Sequence, residues 1–213
     1  MMLNRPFACI SDIHGNMDAF RAVLNEIAQR AITDILVAGD LLYGGEHPGE
    51  VWQALQEIHA QCVQGPSDKA LYELCTETTK PHNEQERAAL DRFHHTKHAL
   101  GDLVILRLKR LPLSLRFPLV DGSELLLVHG SPLDPFEEIS IDLEDEEVLR
   151  LVNDDPADII VCGASHVPFQ RFVDNVQVIN VGSVGQAPEG RLAHLTVMIP
   201  KSSGTDVEQL WVP

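Results

Sequence analysis

Four short apolar runs each stop at residues that can bind a metal ion, and this recurrence constrains the fold more than any other feature of the sequence. The runs cover residues 7–10, 35–38, 125–128 and 159–162. The candidate ligands that follow them are Asp12, His14, Asp40, His129 and His166. A short apolar run bounded by polar residues predicts a buried strand. Carboxylates combined with imidazoles indicate a site for Mn, Fe, Zn or Ni rather than Ca.

The first run has an alternative interpretation when it is taken alone. Asp12 can cap the next helix and His14 can be a hydrogen-bonded loop residue. Asn16 is also a suitable helix cap, and an apolar stripe from Phe20 to Ala28 predicts an amphipathic helix. Because a helical crossover separates the first two runs, we expect two parallel strands. Their ends would then bring Asp40 beside the first pair.

The rest of the chain alternates between helical and strand patterns. Pro48 begins a predicted helix, and residues 69–111 are mostly helical by pattern, with a capping box from Asn83 to Glu86. His94 and His98 lie one helical turn apart there, but no third ligand of matching register is evident, so we expect a solvated face. Leu103 and Leu106 are expected to pack on the core. Strands are predicted at 113–117, 124–128, 176–180, 191–199 and 207–212, and an acidic stretch from residue 142 predicts a helix.

Composition narrows the class of protein. The 213 residues carry 32 acidic and 16 basic side chains, a formal charge of −16, which disfavours nucleic acid as a partner. The four cysteines lack a Cys-x-x-Cys pair, so we expect buried thiols and a cytoplasmic protein. The amino terminus lacks a signal-peptide profile, and no apolar run is long enough to cross a membrane. The oligomeric state stays open.

The order of these motifs resembles the calcineurin-like metallophosphoesterases, in particular their small bacterial phosphodiesterase branch. The matching elements are Asp-x-His at 12–14, Gly-Asp at 39–40, the lone His129, the Gly-x-x-His segment at 163–166 and the stretch Asn-Val-Gly-Ser-Val-Gly at 180–185. The resemblance implies an α/β fold, a four-layer α/β/β/α sandwich of two packed mixed sheets with outer helices. It also implies a single domain over residues 1–213, with a mostly helical excursion at about 69–111.

The family roles transfer unevenly to this sequence. The resemblance implies that Asp12, His14, Asp40 and His166 hold a first metal, while Asp40 and His129 contribute to a second. Pro66 and Ala164 replace the family's Asn and His at the other two positions of the second site, and Ser67 replaces a residue that in relatives is Cys or His, the His being a candidate acid. We therefore expect one tightly held divalent transition metal and an incomplete second half-site. Asp68 matches the family, and we expect it to cap the next helix rather than to orient a neighbour.

The implied activity is hydrolysis of small phosphodiesters or phosphomonoesters, with phosphoproteins as a further class, through a metal-activated water. Asp40 and His129 would be catalytic. Ser67 and Tyr43 would contact substrate, although Tyr43 and His47 can equally be solvated loop residues. The alternative hypothesis is a non-catalytic or weakly active relative that binds one metal and a phosphorylated ligand as a sensor or regulator.

Overall fold

The structure, a computed structural model, describes residues 2–76, 79–153 and 155–213, and within them the chain forms ten strands and five helices. The strands are β1 (Phe7–Ile10), β2 (Asp34–Val37), β3 (Gln61–Cys62), β4 (Ser114–Pro118), β5 (Glu124–Val128), β6 (Ile159–Cys162), β7 (Phe169–Val173), β8 (Val176–Asn180), β9 (Ala193–Lys201) and β10 (Gly204–Val212). The helices are α1 (Met17–Gln29), α2 (Pro48–Glu57), α3 (Pro66–Glu73), α4 (Glu84–Leu108) and α5 (Asp145–Val152).

The described strands form two five-stranded mixed sheets. The first has the order β10-β9-β1-β2-β3, and the second has the order β4-β5-β6-β8-β7. β1 pairs in parallel with β2, with Phe7 opposite Asp34 and Ile10 opposite Val37, while β5, β6 and β8 run parallel in the second sheet. Parallel neighbours end at the same edge of a sheet. The candidate ligands therefore emerge from one edge of each sheet.

Three apolar layers separate the sheets and helices. Phe7 and Cys9 of β1 face the second sheet and pack in a core with Leu125 and Val161. Alternate side chains of a strand point to opposite faces, so Ala8 of the same strand lies in the core beneath α1 and α2. A third core lies between the second sheet and α5. The predicted α/β fold of two mixed sheets with outer helices is confirmed.

Local sequence signals explain where the principal helices begin. Asn16 caps α1, its side chain accepting a hydrogen bond from the Ala19 N–H at 3.1 Å. Pro48 occupies the first turn of α2, where a missing N–H costs nothing. Asn83 caps α4 by accepting from the Glu86 N–H at 2.8 Å, and the Glu86 carboxylate returns to the Asn83 side chain. These starts agree with the sequence-based predictions.

The second half of α4 differs from expectation. Gly101 interrupts the helix with a φ of 67° and a ψ of 167°. This break rotates the residues that follow Gly101 relative to the first half of α4. The helical spacing of the first half therefore does not predict which face the later residues occupy. Leu103 and Leu106, expected to pack on the core, are 65% and 55% exposed. That expectation was wrong.

The cysteines only partly match the expected pattern of buried thiols. All four are free, and Cys9 and Cys162 are buried on their strands. Burial raises the pKa of the Cys162 thiol to about 12, so it is a neutral packing residue. Cys75 is exposed, because α3 ends before it, at Glu73. Throughout the described chain, the helices lack the combination of length and apolar character that a bilayer crossing requires.

Candidate metal centre

The ends of β1 and β6 bring three candidate ligands into mutual contact. The Nε2 atoms of His166 and His14 lie 3.0 and 3.4 Å from Oδ1 of Asp12, and 3.3 Å from each other. Asp12 is fully buried, whereas the His166 side chain is 26% exposed. We call Asp12, His14 and His166 the first group. It has one carboxylate and two imidazoles.

A second group forms between the ends of β2 and β5. Asp12, Asp40 and His129 each offer a ligand atom within 4.8 Å of the others, and all three residues are buried. Oδ2 of Asp40 lies 4.0 Å from Nε2 of His129 and 3.9 Å from Nε2 of His14. Asp12 therefore belongs to both groups. The family pattern implied that Asp40 is shared and that Asp12 serves the first metal alone, whereas in the structure Asp12 is common to the two groups and Asp40 belongs to the second.

The chain holds two of the three histidines, His14 and His129, by the ring nitrogen that faces away from the centre. Nδ1 of His14 donates to the Tyr43 carbonyl at 2.9 Å, and Nδ1 of His129 donates to the Ala38 carbonyl at 2.7 Å. A carbonyl can only accept, so in a neutral ring Nε2 is left with its lone pair facing the centre. Metal-binding histidines are commonly oriented in this way.

The two shared carboxylates are oriented by backbone donors. Oδ2 of Asp12 accepts from the Ala164 N–H at 3.2 Å, and Oδ1 of Asp40 accepts from the Ser67 N–H at 2.9 Å. The remaining oxygen of each carboxylate faces the histidines. Positions 164 and 67 depart from the family pattern in their side chains, but both still contribute their backbone N–H groups.

The ligand loops are unusually tight. Asp12, His14, Asp40 and His166 all have positive φ, between 49° and 60°. Left-handed backbone at residues other than glycine costs about 1–3 kcal/mol each and is concentrated at functional sites. A Cβ at Gly65 would lie 2.1 Å from Oδ1 of Asp40, so only glycine allows this approach. The fold supports strained turns where the candidate ligands lie.

The charge of the centre is unbalanced without a cation. Asp12 and Asp68 are fully buried and Asp40 is 6% exposed, and in the described part of the chain no lysine or arginine forms an ion pair with any of them. Burial alone would raise the pKa of Asp12, but hydrogen bonds with His14 and His166 hold it well below its usual range. Buried carboxylates require pairing or metal coordination. The donors therefore fit a divalent transition metal.

Asp68 joins the two loops that carry the second group. Its carboxylate accepts from the Gly65 N–H, which caps α3, and from the Leu41 N–H, each at 3.0 Å. Burial, together with the nearby Asp40 charge, raises the pKa of Asp68 to about 7. The sequence analysis favoured a helix cap over an orienting role, and the side chain makes both kinds of contact. Pro66, next to Gly65, is exposed and offers no ligand.

Two buried residues that support Asp12 were missed by sequence reasoning. Ser183 Oγ donates to the Asp12 carbonyl at 2.9 Å, and the Ser183 N–H donates to Nδ1 of His194 at 3.0 Å. Nε2 of His194 then donates to Glu189 at 3.1 Å, and burial lowers the pKa of His194. The Asn-Val-Gly-Ser-Val-Gly stretch signalled Ser183. No local pattern signalled His194.

The side chains of the other candidates belong to neither ligand group of the described residues. The Tyr43 hydroxyl donates to the Ala89 carbonyl at 3.3 Å, which directs this side chain towards α4. Ser67 Oγ is buried with no hydrogen-bond partner. His94 pairs with Thr76 at 2.7 Å, and neither His94 nor His98 belongs to a metal-ligand cluster of the described residues.

Comparisons with known proteins agree with this geometry. A sequence model of the calcineurin-like phosphoesterase superfamily domain matches residues 6–202. An uncharacterized protein of Methanocaldococcus jannaschii is 29% identical over 204 residues, covering 89% of this chain and 80% of that protein.

Two solved structures share the fold. A hypothetical protein from Pyrococcus horikoshii has a TM-score of 0.82 and is 19% identical in sequence. The superposition covers 99% of this chain and 88% of the Pyrococcus chain. A metallophosphoesterase from Sphaerobacter thermophilus has a TM-score of 0.78 at 22% identity, covering 99% of this chain and 90% of its own. At these identities the likeness concerns the fold.

Proposed function

The chain belongs to the calcineurin-like phosphoesterase superfamily, and from that premise we propose that it is a metal-dependent hydrolase of small phosphodiesters or phosphomonoesters. The residues described above would form one catalytic domain in the cytoplasm. Phosphoproteins are the larger substrate class that the same chemistry would accept. The formal charge of −16 argues against long nucleic acids, whose phosphates the average field of the protein repels.

One observation carries the proposal: among the described residues, the buried carboxylates of Asp12 and Asp40 have histidines as their only ion-pair partners. Two negative charges in a site of low polarity cost several kcal/mol unless a cation accompanies them. The chain supplies three histidines whose Nε2 atoms face these carboxylates, and a divalent metal completes the charge balance. The same donors would then hold the ion next to a phosphate group.

Each residue of the centre would have its own role in hydrolysis. A bound metal polarises the phosphate and lowers the pKa of a coordinated water. Asp40, held by the Ser67 N–H, would orient its free oxygen towards the metal ligands. His129, fixed by the Ala38 carbonyl, would hydrogen-bond the phosphate or hold a proton at Nε2. Ser67 would contact substrate with the hydroxyl that has no hydrogen-bond partner among the described residues.

The test combines metal loading with two substrates. The metal-free protein is loaded separately with Mn, Fe, Zn and Ni, and release of p-nitrophenolate is measured from p-nitrophenyl phosphate and bis(p-nitrophenyl) phosphate. We expect metal-dependent turnover that Asp40→Asn lowers by about a hundredfold or more. Asp91→Asn makes the same chemical change on exposed α4 and should leave turnover unaltered.

A sensor remains the second candidate function because Pro66 and Ala164 remove side-chain ligands from one half-site only. In that case the loaded protein binds inorganic phosphate but hydrolyses neither ester with any of the four metals. That result would contradict the hydrolase proposal.

A further inference from the structure

An apolar pocket is lined by Tyr43, whose backbone carbonyl also accepts a hydrogen bond from the candidate metal ligand His14. The pocket has a volume of about 430 Å³ and lies between the loop after β2, the segment after α3 and the first half of α4. Its lining includes Tyr43, Leu74, Pro81, Leu90 and Phe93. A phosphate group fills only a small part of this volume, which falls in the range of small-molecule sites, about 300–1,000 Å³.

Tyr43 connects the pocket to the metal ligands. Its carbonyl accepts from Nδ1 of His14 at 2.9 Å, while its side chain forms a wall of the pocket. A ligand bound against the Tyr43 ring would therefore contact the residue whose backbone orients the His14 imidazole. A substrate whose phosphate reaches the ligand atoms would have its organic portion within reach of this pocket.

Two aromatic side chains of the pocket lining pack against each other. The rings of Tyr43 and Phe93 meet edge to face, with centroids 6.0 Å apart and an interplanar angle of 62°. The Tyr43 hydroxyl is tethered to the Ala89 carbonyl, and Phe93 is only 6% exposed. Such rings favour a flat aromatic ligand through stacking and edge contacts. The wall is formed before a ligand arrives, which reduces the entropic cost of binding.

The described lining of the pocket contains no cationic side chain that would pair with a second anionic group. Glu86 is the one ionisable carboxylate of its described lining, and that carboxylate is held by the His82 N–H and the Asn83 side chain at the start of α4. Leu74, which also lines it, is 53% exposed, so apolar surface faces solvent there. The chemistry therefore favours an uncharged ring over a sugar phosphate or a second phosphoryl group.

We propose that this Tyr43 pocket binds an uncharged aromatic group of the substrate, so that the natural phosphate ester is one of an aromatic or aryl-substituted alcohol. The proposal rests on the hydrolase function above and specifies its substrate class. The pocket itself takes no part in bond breaking and contributes by holding the organic group while the phosphate lies at the metal ligands.

Phosphonates that cannot be hydrolysed test the pocket without relying on turnover. Calorimetry on the metal-loaded protein compares the Kd of methylphosphonate with that of 1-naphthylmethylphosphonate. We expect the naphthyl compound to bind about tenfold more tightly or better, because it buries apolar surface that the methyl compound lacks. Equal Kd values for the two compounds, or no binding of either, would overturn the proposal.

Variants on one helix provide the matched control. Leu90→Glu places a carboxylate in the pocket and should reduce the ratio of the two Kd values towards one. Leu103→Glu makes the same change on an exposed position of α4 outside the described lining and should preserve the ratio. If Leu90→Glu does not fold, the half-exposed Leu74→Glu at the pocket replaces it. A ratio that survives both pocket variants would place the naphthyl group elsewhere and overturn the proposal.

The outcome also separates this inference from the proposed function. Metal-loaded protein that hydrolyses no ester contradicts the hydrolase, whatever the phosphonates show. Protein that hydrolyses p-nitrophenyl phosphate, yet binds both phosphonates equally, retains its proposed function and loses only the aromatic subsite.

Discussion

The two ligand groups share Asp12 but differ in composition and in exposure. The first group combines one carboxylate with two imidazoles and is open to solvent at His166, whose side chain is 26% exposed. The second combines two carboxylates with His129, which is 1% exposed. Imidazole-rich sites suit Zn, Fe and Ni, whereas carboxylate-rich sites suit Mn and Mg. The groups are therefore expected to select different ions.

Both residues that replace a metal ligand of the family pattern concern the second group and not the first. Pro66 and Ala164 adjoin the second group, and neither offers a side-chain donor. Their neighbourhood is nevertheless intact, because the Ala164 N–H holds Asp12 and the Ser67 N–H holds Asp40. The second group has lost ligands while retaining the backbone that orients the remaining ones. Relative to the family pattern, the second group would be a half-site with fewer side-chain ligands, whose remaining carboxylates keep their backbone donors.

The largest expected effect comes from the residue that both groups share. Asp12→Asn should abolish the metal retained after dialysis and weaken metal binding by both groups, since it removes a buried charge and a ligand common to them. His14→Ala should abolish metal retention by the first group and leave the ligands of the second group unchanged. Elemental analysis after dialysis measures the bound metal, with His94→Ala, which alters a histidine on α4 outside both groups, as the control. Loss of metal from His94→Ala would mean that the α4 histidines complete the site.

Rebuilding the second group should produce the next largest effect. Pro66→Asn together with Ala164→His restores both missing side chains, and we expect higher occupancy by a second metal and faster hydrolysis of an aryl phosphate. The two changes serve one ion, so their effects should be non-additive. Position 164 has a φ of 69°, a region in which histidine is enriched among non-glycine residues. Unchanged rates, with the extra metal bound, would show that the second ion does not limit the reaction.

Removing a hydrogen bond that supports Asp12 should have a smaller effect. Ser183→Ala removes the hydroxyl that holds the Asp12 carbonyl, and we expect metal affinity to fall about tenfold and stability to fall by about 1–3 kcal/mol. Ser123→Ala also removes a side-chain hydrogen bond, to Asp121 in a distant turn, and serves as the control. Metal titration and urea unfolding measure the two quantities. Equal metal affinities in the two variants would contradict a role for Ser183 in orienting Asp12.

The smallest structural effect is expected at Ser67. Its hydroxyl is buried without a partner, so Ser67→Ala should change the free energy of unfolding by less than about 1 kcal/mol. The backbone N–H that holds Asp40 remains. If the hydroxyl contacts substrate, kcat/KM should fall about tenfold while metal content is unchanged. Unaltered kcat/KM would remove Ser67 from the substrate site.

Much of the fold could be predicted because its signals are local. Buried parallel strands are short apolar runs, and Asn16, Pro48 and Asn83 mark helix starts within a few residues. The strand ends likewise indicated which side chains would meet. The assignment of these residues to metal binding and catalysis stays a prediction.

What escaped the sequence depends on contacts between distant residues. Ser183 meets the Asp12 carbonyl across 171 positions, and nothing near either residue encodes that contact. The sharing of Asp12 between two groups follows from how the two sheets approach each other. The break at Gly101 changed the face of α4, so a periodicity counted through it misplaced Leu103 and Leu106.

The central claim is that the two groups hold metal unequally, and metal content per chain tests it most directly. The protein is loaded with excess Zn or Mn, dialysed and analysed for bound metal against protein concentration. The first group, with its two histidines, should retain about one ion per chain, while the second group loses its ion during dialysis. Two ions retained per chain, or none, would contradict the account.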